Sequence, residues 1–151
     1  GLSLETGGFA GEAAGDTFAN VEYVYGSDHA DDITGNDEAN RLIGFEGNDV
    51  INGGAGNDYI IGMEDDDILT GGQGNDVFLY KDLFGADIIT DFEAGAGRTD
   101  RIWLDLDDIN GMADLTIVDQ GNDTLITVGD YGTILLEDVS STDLHSDDFI
   151  F

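Results

Sequence analysis

Residues 26–79 read GSDHADDIT (26–34), GNDEANRLI (35–43), GFEGNDVIN (44–52), GGAGNDYII (53–61), GMEDDDILT (62–70) and GGQGNDVFL (71–79), six nine-residue units without a gap. Every unit begins with glycine. Five carry Asp at the sixth place (Asp31, Asp49, Asp58, Asp67 and Asp76), and the exception is Asn40. The eighth place is always apolar: Ile33, Leu42, Ile51, Ile60, Leu69 and Phe78. A six-residue turn followed by a three-residue strand accounts for this pattern. Strand side chains alternate, so the eighth residue points one way and the seventh and ninth the other. One inward apolar residue per unit builds a thin shared core. A flexible acidic linker has no reason to keep that residue at every eighth place.

The composition fits the repeat. Of 151 residues, 23 are glycine, and 34 acidic residues face four basic ones, Arg41, Lys81, Arg98 and Arg101, for a net charge of -30. Such a chain repels itself when compact. It is a poor partner for nucleic acid or for anionic membranes, and a good one for cations. No cysteine is present to supply a disulfide, and no apolar run approaches membrane-spanning length. The chain begins at Gly1 without a methionine or a signal-peptide pattern. The expectation is one domain cut from a larger protein.

The six units fit the pattern G-G-x-G-x-D-x-U-x, where U is apolar, known as a calcium-binding repeat. The chain thus resembles the RTX (repeats-in-toxin, hemolysin-type) family. That resemblance implies an all-β fold, a right-handed parallel β-roll of nonapeptide repeats with a β-rich carboxy-terminal cap. Successive units then lie on opposite sides, and units two apart become neighbours about 4.8 Å apart in one sheet. The sixth places stack into two columns: Asp31, Asp49 and Asp67, and Asn40, Asp58 and Asp76. Carboxylates so close repel by about 1 kcal/mol in water and several times more near a protein surface. Against net folding stabilities of about 5–15 kcal/mol, the columns need a cation between rungs. Carboxylates and carbonyls in flexible turns are hard oxygen donors, which suit Ca2+ rather than magnesium or zinc.

The resemblance also implies ligand sets. One turn supplies carbonyls from its second and fourth places and its sixth side chain. The turn two units on supplies carbonyls from its first and third places and its own sixth side chain. One site would use Ser27, His29, Asp31, Gly44, Glu46 and Asp49. The next would use Phe45, Gly47, Asp49, Gly62, Glu64 and Asp67. On the other side, Gly54, Gly56, Asp58, Gly71, Gln73 and Asp76 form a third. Asn36, Glu38, Asn40, Gly53, Ala55 and Asp58 form a fourth, weakened by Glu38 and the neutral Asn40. Asp49, shared by two sites, is expected to matter more than Asp76, the last of its column. His29 is read as a turn residue giving its carbonyl, rather than as a zinc ligand or base.

The flanks divide the chain into 1–25, 26–79 and 80–151. Residues 17–25 look like a degenerate unit, with Glu22 at the sixth place and Val24 at the eighth. After Leu79 the register breaks, though Gly85-Ala86-Asp87-Ile88-Ile89 echoes a further half-unit. Short strands are expected at 88–92, 101–104, 115–118, 124–128 and 133–137. The segment 80–151 resembles the cap that follows RTX repeats. It is expected to cover an apolar outer face made by Ile43, Tyr59, Ile61, Val77 and Leu79. The ending Asp147-Asp148-Phe149-Ile150-Phe151 resembles a carboxy-terminal export signal, and equally suits a final strand.

The function implied is a calcium-binding module that folds outside the cell, where such modules work at about 10⁻⁴–10⁻³ M calcium. It would support type I secretion and stability of a larger extracellular protein, with a type I exporter as partner. The alternatives are an accessory carbohydrate-binding domain, similar to the R-modules of alginate epimerases, or the end of a large adhesin. Only four basic residues count against an anionic polysaccharide. Catalysis by this segment is not expected. Two histidines and no cysteine leave few nucleophile–base pairs. The absence of proline rules out the Asp-Pro self-cleavage of some relatives.

Overall fold

The eighteen-residue step organises two sheets. In one, Tyr23–Tyr25 (β2), Arg41–Phe45 (β4), Tyr59–Met63 (β6) and Val77–Tyr80 (β8) lie parallel, with Val24 beside Leu42, Leu42 beside Ile60 and Ile60 beside Phe78. In the other, Asp32–Thr34 (β3), Val50–Ala55 (β5) and Ile68–Gln73 (β7) align Ile33, Ile51 and Leu69. Leu2–Ser3 (β1) adds a parallel strand to β3. The computed structural model describes residues 2–3, 22–95 and 100–151. The segments 17–21 and 96–99, with Arg98, lie outside the described residues.

Every eighth-place residue faces the interior, and Ile33, Leu42, Ile51, Ile60 and Phe78 are completely buried. Burial of such a side chain stabilises by about 1.5–3 kcal/mol. The alternation sends the seventh and ninth places outward, and the chain forms a parallel β-roll as the repeat predicts. No α-helix occurs among the described residues, and no helix is long and apolar enough to cross a membrane.

The roll does not stop at Leu79. Ala86–Ile89 (β9) stacks on β7, with Leu69 beside Ile89. Arg101–Leu104 (β10) stacks on β8, with Phe78 beside Ile102, and Phe149–Ile150 (β14) closes that sheet on β10. The other sheet turns antiparallel beyond β9. Gly132–Leu136 (β13) pairs parallel with β9, then antiparallel with Asp123–Val128 (β12), which pairs with Leu115–Gln120 (β11). The strands expected at 101–104, 115–118, 124–128 and 133–137 are present, the one expected at 88–92 lies instead at Ala86–Ile89 because Ile89 rather than Thr90 is its last paired residue, and residues 149–150 form a final strand.

The tail covers the roll differently from expectation. Ile126, Val128, Ile134, Leu136, Val139 and Leu144 join the interior cluster that begins at Val24, so they close the end of the roll. On the outer face, Ile43, Ile61 and Leu79 are buried in a separate cluster with Phe45, Tyr59, Met63 and Trp103. Within that cluster Trp103 is the contribution of 80–151, standing edge-on to Tyr59 with ring centroids 6.0 Å apart. The loop at Lys81, Asp82, Leu83 and Phe84 lines a small cavity beside Ile61 and Leu79. The physical reason is continuity: Ile89, Ile102 and Phe149 occupy further inward places, which sets the tail on the roll's axis rather than across its face.

Candidate metal centre

From the third unit on, each six-residue turn brings its last side chain to the N–H of the preceding rung on its edge. The backbone N–H of Asp31 donates to Asp49 Oδ1 (2.7 Å), that of Asp49 to Asp67 Oδ1 (2.8 Å), and that of Asp67 to Asp87 Oδ1 (3.1 Å). On the opposite edge, the N–H of Asn40 donates to Asp58 Oδ1 (2.8 Å), that of Asp58 to Asp76 Oδ1 (2.8 Å), and that of Asp76 to Asp100 Oδ1 (3.1 Å). One oxygen of each carboxylate therefore ties two rungs together. The other is left over, except at Asp100, whose Oδ2 accepts from Glu93 N (3.0 Å). Asp49, Asp58, Asp67, Asp76 and Asp87 each hold a buried Oδ2 with no hydrogen-bond partner. A buried unpaired polar atom costs on the order of 1–3 kcal/mol, and more when charged.

The first turns differ. Asp31 Oδ2 accepts from Ser27 N (2.7 Å) and Ser27 Oγ (2.8 Å). Asn40 Oδ1 accepts from Asn36 N (2.8 Å), and Asn40 Nδ2 donates to Asn36 Oδ1 (3.1 Å). These two sixth places are satisfied within their own turns.

Electrostatics follows the geometry. Burial pushes the Asp49, Asp58 and Asp100 carboxyls from the ordinary 3.8 up to about 6, Asp87 to about 7 and Asp67 to about 8. Asp76 is raised for the same reason, with Asp91 and Glu93 adding repulsion. A divalent cation supplies what these columns lack, a positive partner for each orphaned oxygen. The donor set is hard oxygen throughout. Among the described residues no three or more His, Cys, Asp or Glu side chains form a metal-holding group, so the carboxylates must be completed by carbonyls.

The first-place glycines make room for such carbonyls. A Cβ at Gly44 would strike both Asp49 Oδ2 and the carbonyl oxygen of Gly62. A Cβ at Gly53 would strike Asp58 Oδ2 and the carbonyl of Gly71, and Gly26 and Gly35 stand likewise against Gly44 and Gly53. The sequence-predicted pairs Asp31/Gly44, Asp49/Gly62, Asn40/Gly53 and Asp58/Gly71 are thus brought together. At the second place, Phe45 holds a left-handed backbone (φ 86°), a conformation glycine occupies at Gly54 (φ 100°). The Asn36 and Phe45 carbonyls accept ladder bonds from Ala55 N and Glu64 N (3.1 Å each), and Gln73 O accepts from Gly56 N (2.8 Å). Those three predicted donors keep only their second lone pair. His29 is exposed, and its carbonyl lies 3.5 Å from Ser27 Oγ. Glu38, Glu46 and Glu64 point to solvent.

Counting by nines missed Asp87 and Asp100, which continue the columns by steps of 20 and 24 residues. Both sit two residues before an inward residue, Ile89 and Ile102, the same Asp-x-apolar signature as the repeat. Asp76 is consequently not the end of its column, and its expected lesser weight relative to Asp49 is withdrawn. Asp91 takes the first place of the following turn, accepting from Gly71 N (2.9 Å) and Gly72 N (2.8 Å).

Stacked turns of this geometry define a class, the calcium-binding β-rolls. Residues 25–60 and 43–78 both match the family model described as RTX calcium-binding nonapeptide repeat (4 copies), and the array is of that family. Among solved structures, the chain is similar to the AlgE6R3 subunit of the Azotobacter vinelandii mannuronan C5-epimerase, at 27% identity and a TM-score of 0.65, covering 90% of this chain and 86% of that one. The AlgE6R2 subunit of the same enzyme aligns at 24% identity and a TM-score of 0.64, over 88% of this chain and 94% of that one. The extracellular lipase LipA from Serratia marcescens aligns at 16% identity and a TM-score of 0.48, over 89% of this chain and 41% of that one. No curated protein matches in sequence.

Proposed function

We propose that this chain is a calcium-dependent folding module of an extracellular protein, one that stays unfolded where calcium is scarce and closes into the roll where it is plentiful. The observation that carries this reading is the set of five buried, unpaired Oδ2 atoms in two columns. The bound ion supplies positive charge between rungs. The chain supplies Asp Oδ2 and the first-place glycine carbonyls, while Oδ1 holds the preceding turn of its edge in register. The ligand sets inferred from the repeat stand as part of the proposal, with Asp49/Asp67 and Asp58/Asp76 as the strongest pairs. Support for type I secretion is the finer part of the reading. It rests on the chain's need for calcium and on its net charge of -30, which keeps the unfolded chain soluble. Equilibrium dialysis with calcium tests the columns. Asp49→Ala and Asp76→Ala should each lower the number of bound ions, and by similar amounts, because each now has a neighbour on both sides. Unchanged ion counts in both variants would overturn the column assignment.

A second reading, binding of an acidic polysaccharide, is favoured by one surface. The outer face of the β2–β4–β6–β8–β10 sheet carries the seventh-place row Tyr23, Arg41, Tyr59, Val77 and Arg101. Beside it run Tyr25 and Trp103, and the Arg41 guanidinium sits 4.7 Å from the Tyr59 ring centre. Two of the chain's four cations thus lie among aromatic rings that suit sugar stacking. The similarity to a subunit of a mannuronan epimerase points the same way. Retarded migration in a mannuronate-polymer gel, lost in Arg41→Ala/Arg101→Ala, is the expected outcome; equal migration of both proteins would remove this reading.

A further inference from the structure

Two Asn-Gly pairs occur in the chain, Asn52-Gly53 and Asn110-Gly111. Their covalent chemistry is the same and their surroundings are opposite. In such a pair the glycine nitrogen carries no side chain beside it to hinder an approach to the carboxamide carbon of the preceding asparagine. Whether the two atoms meet depends on how freely the backbone between them can turn.

Asn52-Gly53 lies inside β5. Asn52 stands between Thr34 and Thr70 in the parallel ladders, and its carbonyl accepts from Gly35 N (2.7 Å). Gly53 is buried, and a Cβ there would strike Asp58 Oδ2 and the Gly71 carbonyl. The backbone has no room to turn unless the strand opens.

Asn110-Gly111 lies in the connection between β10 and β11, just before the short helical turn Met112–Asp114. Asn110 is exposed. Its N–H donates to Asp114 Oδ2 (2.9 Å), and Asp114 N donates to Gly111 O (3.0 Å). The Gly111 N–H, the atom that would attack, donates to none of the described residues. Nothing stands within 4 Å of where a Gly111 Cβ would be. The pair is therefore in open space, while Ile109 before it is buried in the interior cluster and Met112 after it packs against that cluster.

We propose that Asn110-Gly111 is a site of spontaneous deamidation in the folded protein, at which Asn52-Gly53 is silent. The inference goes beyond the calcium-binding reading and needs only the fold. The Gly111 nitrogen bonds to the Asn110 carboxamide carbon, the bond to Nδ2 breaks, and ammonia leaves with the proton from Gly111. Water then opens the five-membered imide at either carbonyl, leaving an aspartyl or an isoaspartyl residue at position 110. Either product adds a carboxylate to a stretch that already holds Asp107, Asp108 and Asp114. The isoaspartyl product also routes the main chain through the side-chain methylene. That extra carbon falls within the turn held by Asp114, between the buried Ile109 and the start of β11.

Peptide mapping by mass spectrometry tests it, on the full chain folded in millimolar calcium and held at mildly alkaline pH. Position 110 should become one dalton heavier and appear as a mixture of aspartyl and isoaspartyl forms. Position 52 should convert about tenfold more slowly or less, because its strand must first open. Gly111→Ala supplies the control. A methyl group there meets no atom, and φ 172° suits any residue, so the variant should fold as the unaltered chain does. Its side chain hinders ring closure, and conversion at 110 should slow several-fold. Equal rates at 52 and 110 in the unaltered chain would overturn the inference. So would an Asn110 that stays intact while a short unstructured peptide of the same sequence converts, or a folded G111A that converts at 110 as fast as the unaltered chain.

Discussion

From Val24 to Phe78 each inward residue of a sheet lies eighteen residues beyond its neighbour, whereas from Phe78 to Phe149 the steps are 24 residues to Ile102 and then a jump across the whole meander. The two regions nonetheless share the same sheets, the same buried row and the same columns of aspartate. The difference teaches what holds a rung in place. Spacing in the chain is one way to reach the next rung, but the rung itself is defined locally. An inward apolar residue meets its parallel neighbour, and the N–H two residues earlier meets the next Asp Oδ1. Extra residues are then accommodated in the turn, as between Tyr80 and Asp87. The exact repeat makes rungs cheaply in sequence length; the irregular tail uses the same bonds to end the stack.

The strongest way to break this comparison is to remove the irregular half. A fragment ending at Leu79 loses Ile89 and Ile102, which cover Leu69 and Phe78, and loses Asp87 and Asp100, which accept from the N–H groups of Asp67 and Asp76. Repeat arrays need capped ends. The 1–79 fragment should therefore fail to form a soluble monomeric roll at millimolar calcium, as measured by sedimentation and circular dichroism. A monomer with the calcium affinity of the full chain would mean that the exact repeats are self-sufficient and that the tail has a different purpose.

A smaller effect sharpens the comparison through pH. In the metal-free chain the carboxyls of Asp49, Asp58, Asp67, Asp87 and Asp100 have folded-state pKa values raised from 3.8 to between about 6 and about 8, mainly by burial. A raised carboxyl favours the folded state when protonated. That contribution is fully present below about 4 and is lost as pH rises through the folded values. With a chelator present, the folded fraction should therefore rise as pH is lowered from 8 to 5. With calcium present the trend should reverse, since protons compete for the same oxygens. Fluorescence of Trp103 follows both titrations. Parallel pH trends with and without calcium would separate the columns from the metal.

The architecture was legible because two independent periodicities, glycine and inward apolar residues, repeat six times in phase. The eighteen-residue register, the two columns and the burial of Ile33 through Phe78 all follow from that count. Asp87 and Asp100 were not legible by counting, since their rungs come after loops of different length; only the Asp-x-apolar signature marks them. The placement of the tail was misread for a related reason. Periodicity says which side chains face outward, but it does not say whether a following segment lies over that face or continues along the axis. Inward places at Ile89, Ile102 and Phe149 decide for the axis.

The central claim is that charge neutralisation in the aspartate columns lets the roll form. Far-ultraviolet circular dichroism of the full chain at pH 7.5, first in chelator and then across a calcium titration into the millimolar range, tests it most directly. The account predicts a largely unfolded spectrum in chelator and a cooperative gain of β signal with calcium, with magnesium far less effective at the same concentration. A full β spectrum in chelator that does not change on adding calcium would contradict it.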